Sequence, residues 1–262
     1  MGNLVQNPRF SEVLWLHNGG ASATLPTLLP LLGVGSRVRF VRADIESNPA
    51  NRSRFLEVIR PETDQLDRTG ITWTAELRRE RPSEVAAGAT VDLLVLGPHR
   101  RRPNFHFGST AEHVLPFTRV PVLIGGEEPR GALTTVLCAV DLGGPETNAV
   151  LAEAARLGRT LPCRIEVVSV VTQSELDAEP SAWLQSLSQR VAAVAGLENV
   201  GLHVVAASDP ATGLQNLGGR ADLVVLGRSP RMGMARWWGG DTTGKLGRFA
   251  RHPLLLVQAE EP

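Results

Sequence analysis

The sequence lacks net charge, long apolar runs and all but two cysteines. Its 27 basic residues balance 27 acidic ones, so no long-range field favours nucleic acid or an anionic membrane as a partner. Cys138 and Cys163 have neither C-x-x-C nor metal-ligand spacing, which favours free, buried thiols. Residues 1–10 lack the apolar segment of a signal peptide, and no apolar run is long enough to span a membrane. We therefore expect a soluble, cytoplasmic protein.

The sequence does contain a long internal repeat. Residues 91–97 (VDLLVLG) return as residues 221–227 (ADLVVLG), and the segment 108–124 returns at 240–256. The offset of about 130 residues is the usual size of one domain rather than of a solenoid repeat. Residues 125–131 have the composition of a linker. The sequence therefore predicts two domains, residues 1–128 and 129–262, with a boundary near Pro129.

Each copy alternates short β-branched and leucine-rich runs with helical patterns. This alternation predicts an α/β fold with a parallel sheet and helices on both faces. In the first copy the predicted strands are 12–17, 37–42, 71–75, 92–96 and 120–124. In the second copy they are 135–140, 164–171, 201–206, 222–226 and 254–257. Helices are predicted over 146–161 and 183–195, and a third is predicted to begin at Pro210 behind an Asp209 N-cap.

Several short motifs occur in one order in the two copies. They are Val140-Asp141-Leu142-Gly143, Ser208-Asp209-Pro210-Ala211, Asp222 to Gly227, and Gly108-Ser109-Thr110-Ala111-Glu112 followed by Val120-Pro121-Val122-Leu123. Together they resemble the universal stress protein family in tandem, over nearly the whole chain. The resemblance implies two open, Rossmann-like parallel sheets of five strands in the order 3-2-1-4-5. It also implies a stress-response function and ATP, with Mg²⁺, as the ligand.

In that strand order, ligands bind where the chain reverses direction, between strands 1 and 4. The resemblance implies that Asp141 receives adenine, that a backbone group on strand 2 assists, and that a loop of form G-x2-G-x9-G-[ST] wraps the phosphates. From the residues alone, Asp141 could instead cap the following helix. The predicted ligand-binding residues are Asp141, Val170, Gly227, Arg228, Gly240, Asp241 and Thr242.

The phosphate loop of the second copy keeps its spacing but departs from the pattern at two positions. Pro230 replaces a glycine and has no N–H to donate, a loss of about 1 kcal/mol. Asp241 replaces Ser or Thr, and a carboxylate about 5 Å from a phosphate costs roughly 3 kcal/mol at an effective dielectric near 20. Lys245, one helical turn on, could pair with Asp241. In the first copy the loop is two residues shorter and Asn18 replaces the aspartate, so no nucleotide is expected there.

Three hypotheses of function remain open from the sequence. The first is a non-catalytic stress-response protein with weak or vestigial ATP binding in its C-terminal domain. The second is a scaffold that has lost nucleotide and acts on an unknown protein partner. The third is a slow ATPase, although no catalytic residue can be identified. No metal site is predicted, because the histidines at 99, 106 and 113 lack partners at ligand spacing.

The fifth strand of each copy would form an edge of its sheet. Residues 120–124 and 254–257 are too apolar to be left as exposed edges. We therefore expect them to pair antiparallel within one chain, as an internal pseudo-dimer, with a homodimer as a further possibility.

Overall fold

The computed structural model describes residues 10–17, 24–97, 109–126, 131–197, 199–208, 210–219, 221–228 and 252–258. The chain divides into two compact units, Met1–Ala132 and Leu133–Pro262. No helix within the described residues is long and apolar enough to cross a membrane. The expected pairing of the two fifth strands stays a prediction.

The first unit is an α/β fold. Its strands are β1 (Glu12–Leu16), β2 (Arg37–Arg42), β3 (Thr72–Leu77), β4 (Leu93–Leu96) and β5 (Val122–Ile124). Its helices are α1 (Leu25–Leu28), α2 (Pro49–Thr69), α3 (Pro82–Ala87) and α4 (Ser109–Val114), with short 3₁₀ turns at Leu29–Leu31 and Leu115–Phe117. The strands are parallel and run in the order β3-β2-β1-β4-β5. The core is centred on the stacked rings of Trp15 and Phe40.

The second unit repeats this plan. Its strands are β6 (Thr135–Val140), β7 (Arg164–Val171), β8 (Gly201–Ala206), β9 (Leu223–Arg228) and β10 (Leu254–Gln258). Its described helices are α5 (Thr147–Thr160), α6 (Gln173–Ala178), α7 (Pro180–Ala192) and α8 (Pro210–Gly218). The strands are parallel in the order β8-β7-β6-β9-β10. The predicted α/β class and strand order are therefore confirmed within each unit.

The segment between β7 and β8 differs from the sequence prediction. One helix was expected over 183–195, but the structure has two, α6 and α7. A capping box begins α6, because Thr172 Oγ1 accepts from the Glu175 amide and Glu175 Oε2 accepts from the Thr172 amide. Pro180 then begins α7, where its fixed φ suits the first helical turn. A second helix, α7, therefore begins at Pro180. The apolar pattern of the sequence indicates this helix only from Trp183 onward.

The aspartate of the repeated motif joins strand 4 to strand 1 in both units. Asp92 Oδ2 accepts from the amides of Ser11 and Glu12, each at 3.0 Å. Asp222 Oδ2 accepts from the amide and hydroxyl of Thr134, at 2.8 and 2.6 Å, and from the next amide at 2.9 Å. These carboxylates satisfy amides at the start of the central strand. The aspartate of the duplicated motif therefore has a structural role in both units.

Both cysteines are free thiols, as expected. Cys138 is buried, and this burial raises the pKa of its thiol. Cys163 is only half-buried, and desolvation raises its pKa to about 11. Both thiols therefore stay protonated at neutral pH. Within the described residues, no group of three or more His, Cys, Asp or Glu side chains is arranged to hold a metal ion.

Candidate functional site

The candidate site of the second unit lies at the carboxyl ends of β6 and β9. These strands are neighbours, with Ala139 beside Leu226. β7 and β8 lie on one side of β6, whereas β9 and β10 lie on the other. The chain therefore reverses direction between β6 and β9, which is the position where open α/β sheets bind ligands.

Asp141 follows β6 directly and organises the loop that leads to α5. Its Oδ1 accepts the amide of Gly143 at 3.0 Å. Its backbone carbonyl accepts the Gly144 amide at 2.8 Å and also the Thr147 hydroxyl. The residue is exposed, and within the described residues its Oδ2 accepts no hydrogen bond. One carboxylate oxygen therefore fixes the loop, while the other has no hydrogen bond from the described residues.

The alternative role for Asp141, capping the following helix, is wrong. α5 begins at Thr147, and its N-cap residue is Glu146. An N-cap side chain must reach the amides of the first helical turn. The Asp141 side chain instead bonds two residues ahead, in the loop before the helix.

Glu146 is a site residue that the sequence analysis missed. A Cβ built on Gly227 would lie 2.4 Å from Glu146 Cβ, so Glu146 packs directly against the position that a side chain of residue 227 would occupy. A Cβ built on Gly144 would lie 3.1 Å from Glu146 Oε2 and 3.3 Å from Asp141 Cγ. The carboxylates of Asp141 and Glu146 therefore approach the same glycine. We call this space, between Gly144 and Gly227, the acidic crevice.

The helix that carries Glu146 favours a carboxylate at this point. Glu146 precedes the first turn of α5, where the helix dipole is positive. Its side chain makes no capping hydrogen bond, so the contribution is one of charge. An incoming phosphate would normally be attracted to such a helix end. Here the protein supplies its own anion at the same place.

Arg228 is not presented to the crevice surface. It is buried, with 6% of its surface exposed, and its Nη2 donates to Gln258 Oε1 on β10 at 2.7 Å. Desolvation lowers the pKa of this guanidinium to about 10, so the side chain is still charged at neutral pH. The hydrogen bond to the neighbouring strand gives Arg228 a structural role.

Val170 on β7 packs against a helix. A Cβ built on Gly213 of α8 would lie 2.6 Å from Val170 Cγ1, so the valine side chain is in close contact with α8. This packing does not engage the main chain of Val170, which is the part predicted to meet a ligand. The remaining predicted residues, Gly240, Asp241 and Thr242, lie outside the described residues, as does Pro230.

A groove adjoins the loop after Asp141. Its volume is about 460 Å³, and one wall is formed by Leu142 and Gly143. The other wall is formed by α7, with the side chains of Trp183, Ser186, Gln189 and Arg190. We call it the α7 groove. Because the Gly143 amide donates to Asp141 and Gly143 also lines the groove, the groove is next to the candidate site.

Comparison with known proteins gives a family match in the second unit. Residues 133–258 match the sequence model of the universal stress protein family. No curated protein sequence matches the chain. The fold is similar to that of a universal stress protein from Archaeoglobus fulgidus DSM 4304, at 17% identity over 97% of this chain and 98% of that chain, with a TM-score of 0.72. It is also similar to a protein of unknown function from Pseudomonas aeruginosa PAO1, at 15% identity over 95% of this chain and 93% of that chain, with a TM-score of 0.66. At these identities the structural likeness indicates a shared fold.

Proposed function

Residues 133–258 belong to the universal stress protein family, and from this premise we propose that the chain is a non-catalytic stress-response protein that binds an adenine ligand weakly in its C-terminal unit. ATP remains the nucleotide that the family pattern suggests, but the residues present favour a ligand with fewer phosphates. The proposal concerns the second unit only.

The observation that carries this proposal is the state of Asp141. Its Oδ1 accepts the Gly143 amide, and the residue is exposed at the point where the strand order reverses, with no hydrogen bond to Oδ2 from the described residues. A carboxylate oxygen fixed in this way can accept a hydrogen bond from the exocyclic amine of adenine. The loop geometry therefore supports recognition of the adenine base by Asp141.

The weakness of ATP binding follows from charge. In the acidic crevice the carboxylates of Asp141 and Glu146 both lie close to the position of a Cβ on Gly144. Arg228 is buried and bonded to Gln258, so it offers little compensation. Asp241 adds a further carboxylate in the predicted phosphate loop. These carboxylates repel the negative charges of a triphosphate, whereas a neutral nucleoside carries no charge for them to repel.

A scaffold without nucleotide is the second candidate function. It is favoured by the contact of Glu146 with Gly227, since that contact fills space beside the first glycine of the loop. Pro230 also favours the scaffold, because proline has no backbone N–H group to donate to a phosphate. A slow ATPase is not favoured by any contact among the described residues.

Equilibrium titration of the full chain with adenosine and with ATP, with and without Mg²⁺, tests the proposal. The informative variant is Asp141→Asn, because its amide oxygen can still accept from Gly143 while its NH₂ group faces the ligand. Replacing an acceptor by a donor should weaken adenosine by about five- to a hundredfold. ATP should be weakened less, because the same variant removes one of the carboxylates that repel its phosphates. The control is Asp177→Asn, an exposed aspartate on α6 outside the site, which should leave both affinities unchanged.

Two results would contradict adenine recognition by Asp141. One is an Asp141→Asn variant that binds adenosine as well as the unchanged protein does. The other is the absence of binding of both ligands at millimolar concentration, which would favour the scaffold. Circular dichroism and urea unfolding of each variant separate a local effect from loss of the fold.

A further inference from the structure

The α7 helix presents two different stripes of side chains. Leu187 and Val191, four residues apart, are buried in the core of the unit. Trp183, Ser186 and Arg190 follow each other at spacings of three and four, and they line the α7 groove. The core contacts of α7 are therefore made by one stripe, and the groove stripe is not needed for them.

The groove stripe carries hydrogen-bonding groups without protein partners. Ser186, Gln189 and Arg190 are exposed, and none of their side chains forms a hydrogen bond or ion pair within the described residues. Trp183 is half-buried, and its Nε1 donates to the Glu175 carbonyl at 3.1 Å. That bond uses the only polar group of the indole and fixes its orientation. A fixed aromatic ring with several unpaired polar groups is typical of a small-molecule pocket.

The acidic crevice and the α7 groove are lined by charges of opposite sign. The acidic crevice contains the carboxylates of Asp141 and Glu146. Arg190 is the only charged residue that lines the α7 groove in the described part of the chain. An anionic group on a ligand would therefore be repelled from the crevice and attracted into the groove. A guanidinium is also well suited to phosphate, since it can donate two parallel hydrogen bonds.

We propose that the α7 groove binds a planar aromatic ligand with a single anionic group, its ring against Trp183 and its anion at Arg190. The groove volume of about 460 Å³ is within the range of ligand pockets, about 300–1,000 Å³. The choice of adenine as the aromatic ring rests on the proposed function. With that choice, the ligand is an adenine mononucleotide. The aromatic-anion specificity of the groove does not depend on that choice.

The test uses the full chain and three probes: AMP, adenosine and 1-naphthyl phosphate, which keeps a ring and a phosphate but lacks adenine. Arg190→Gln should weaken AMP and 1-naphthyl phosphate about tenfold, the effect of losing one charge-assisted hydrogen bond, and change adenosine less than about twofold. Trp183→Leu should weaken all three probes at least about fivefold by removing the stacking surface. Trp183→Phe retains an aromatic face and should restore most of the affinity.

Arg68→Gln is the matched control, because Arg68 is also an exposed arginine in the last turn of a helix, α2 of the first unit. It removes the same charge and should change no affinity. Isothermal titration calorimetry reports all affinities, and far-UV circular dichroism with thermal unfolding shows that each variant is folded.

The possible outcomes separate this proposal from the proposed function. If AMP binds and depends on Asp141 but is unaffected by Trp183→Leu and Arg190→Gln, the groove proposal is overturned and adenine recognition stands. If only 1-naphthyl phosphate binds, and does so through Trp183 and Arg190, the groove proposal stands and adenine recognition fails. If none of the three probes binds at millimolar concentration, both are overturned.

Discussion

The most direct electrostatic test of the site is Glu146→Gln. Glutamine has the same shape as glutamate, so the contact of the residue 146 Cβ with Gly227 is retained. Only the negative charge is removed from the acidic crevice. The variant therefore separates the charge of Glu146 from its packing.

The expected magnitude follows from the position of the carboxylate. Glu146 Oε2 lies beside Gly144, and the Cβ of the same residue packs against Gly227. We take roughly 6 Å as the separation between this carboxylate and a phosphate bound at the site. At that distance two unit charges repel by about 0.7 kcal/mol in water and about 3 kcal/mol at an effective dielectric near 20. Because Glu146 is half-buried, an intermediate value near 1.4 kcal/mol applies, which is about tenfold in affinity.

Glu146→Gln should therefore strengthen ATP binding about tenfold and leave adenosine within about twofold. Titration at low and at moderate salt provides a second check, since a charge effect decreases as ionic strength rises. Asp177→Asn, at an exposed aspartate of α6, controls for the loss of one negative charge elsewhere in the unit. An unchanged ratio of ATP to adenosine affinity in Glu146→Gln would refute the electrostatic account of the crevice.

Two further predictions concern the glycines and the loop. Gly227→Ala should lower the free energy of unfolding in urea by about 1–3 kcal/mol, because the added Cβ would overlap Glu146. The control, Gly219→Ala, should lower it much less, since no atom lies within 4 Å of the added Cβ. Equal losses of stability in the two variants would contradict the packing account. Combining Pro230→Gly with Asp241→Ser should strengthen ATP binding roughly tenfold to a thousandfold in calorimetry, and no gain would mean that these two residues are not what weakens the site.

The central strands were predictable because their burial leaves a direct pattern in the sequence. β6 and β7 have the predicted bounds, 135–140 and 164–171, and most of their residues are buried. The edge strand β8, without a buried residue, also has its predicted bounds, 201–206. A central strand of a parallel sheet is covered on both faces, so it becomes a short, continuous apolar run that is easy to delimit. The strand order came from the family resemblance instead, since composition and periodicity do not specify which strands are neighbours.

The helices between β7 and β8 were harder to predict. α6 has no buried residue, so no apolar period marks it in the sequence. It is defined by the local hydrogen bonds of Thr172 with Glu175. Such a helix can be found from its capping pattern but not from hydrophobic periodicity. The α7 groove depends on this split, because the Trp183 indole of α7 donates to the Glu175 carbonyl of α6.

The site was only partly predictable, for a reason that Gly227 makes clear. The sequence favours Gly227 as the first glycine of an anion-binding loop, where a backbone amide must approach a phosphate. The structure gives a second reason for the same residue type, since Glu146, the N-cap residue of α5, leaves no space for a side chain. That contact joins the helix after β6 to the end of β9, about 80 residues apart along the chain. No local pattern records a contact of this range. The glycine motif is therefore compatible both with a phosphate site and with close packing, and it is the charge of the packed residue that decides which ligands the crevice admits.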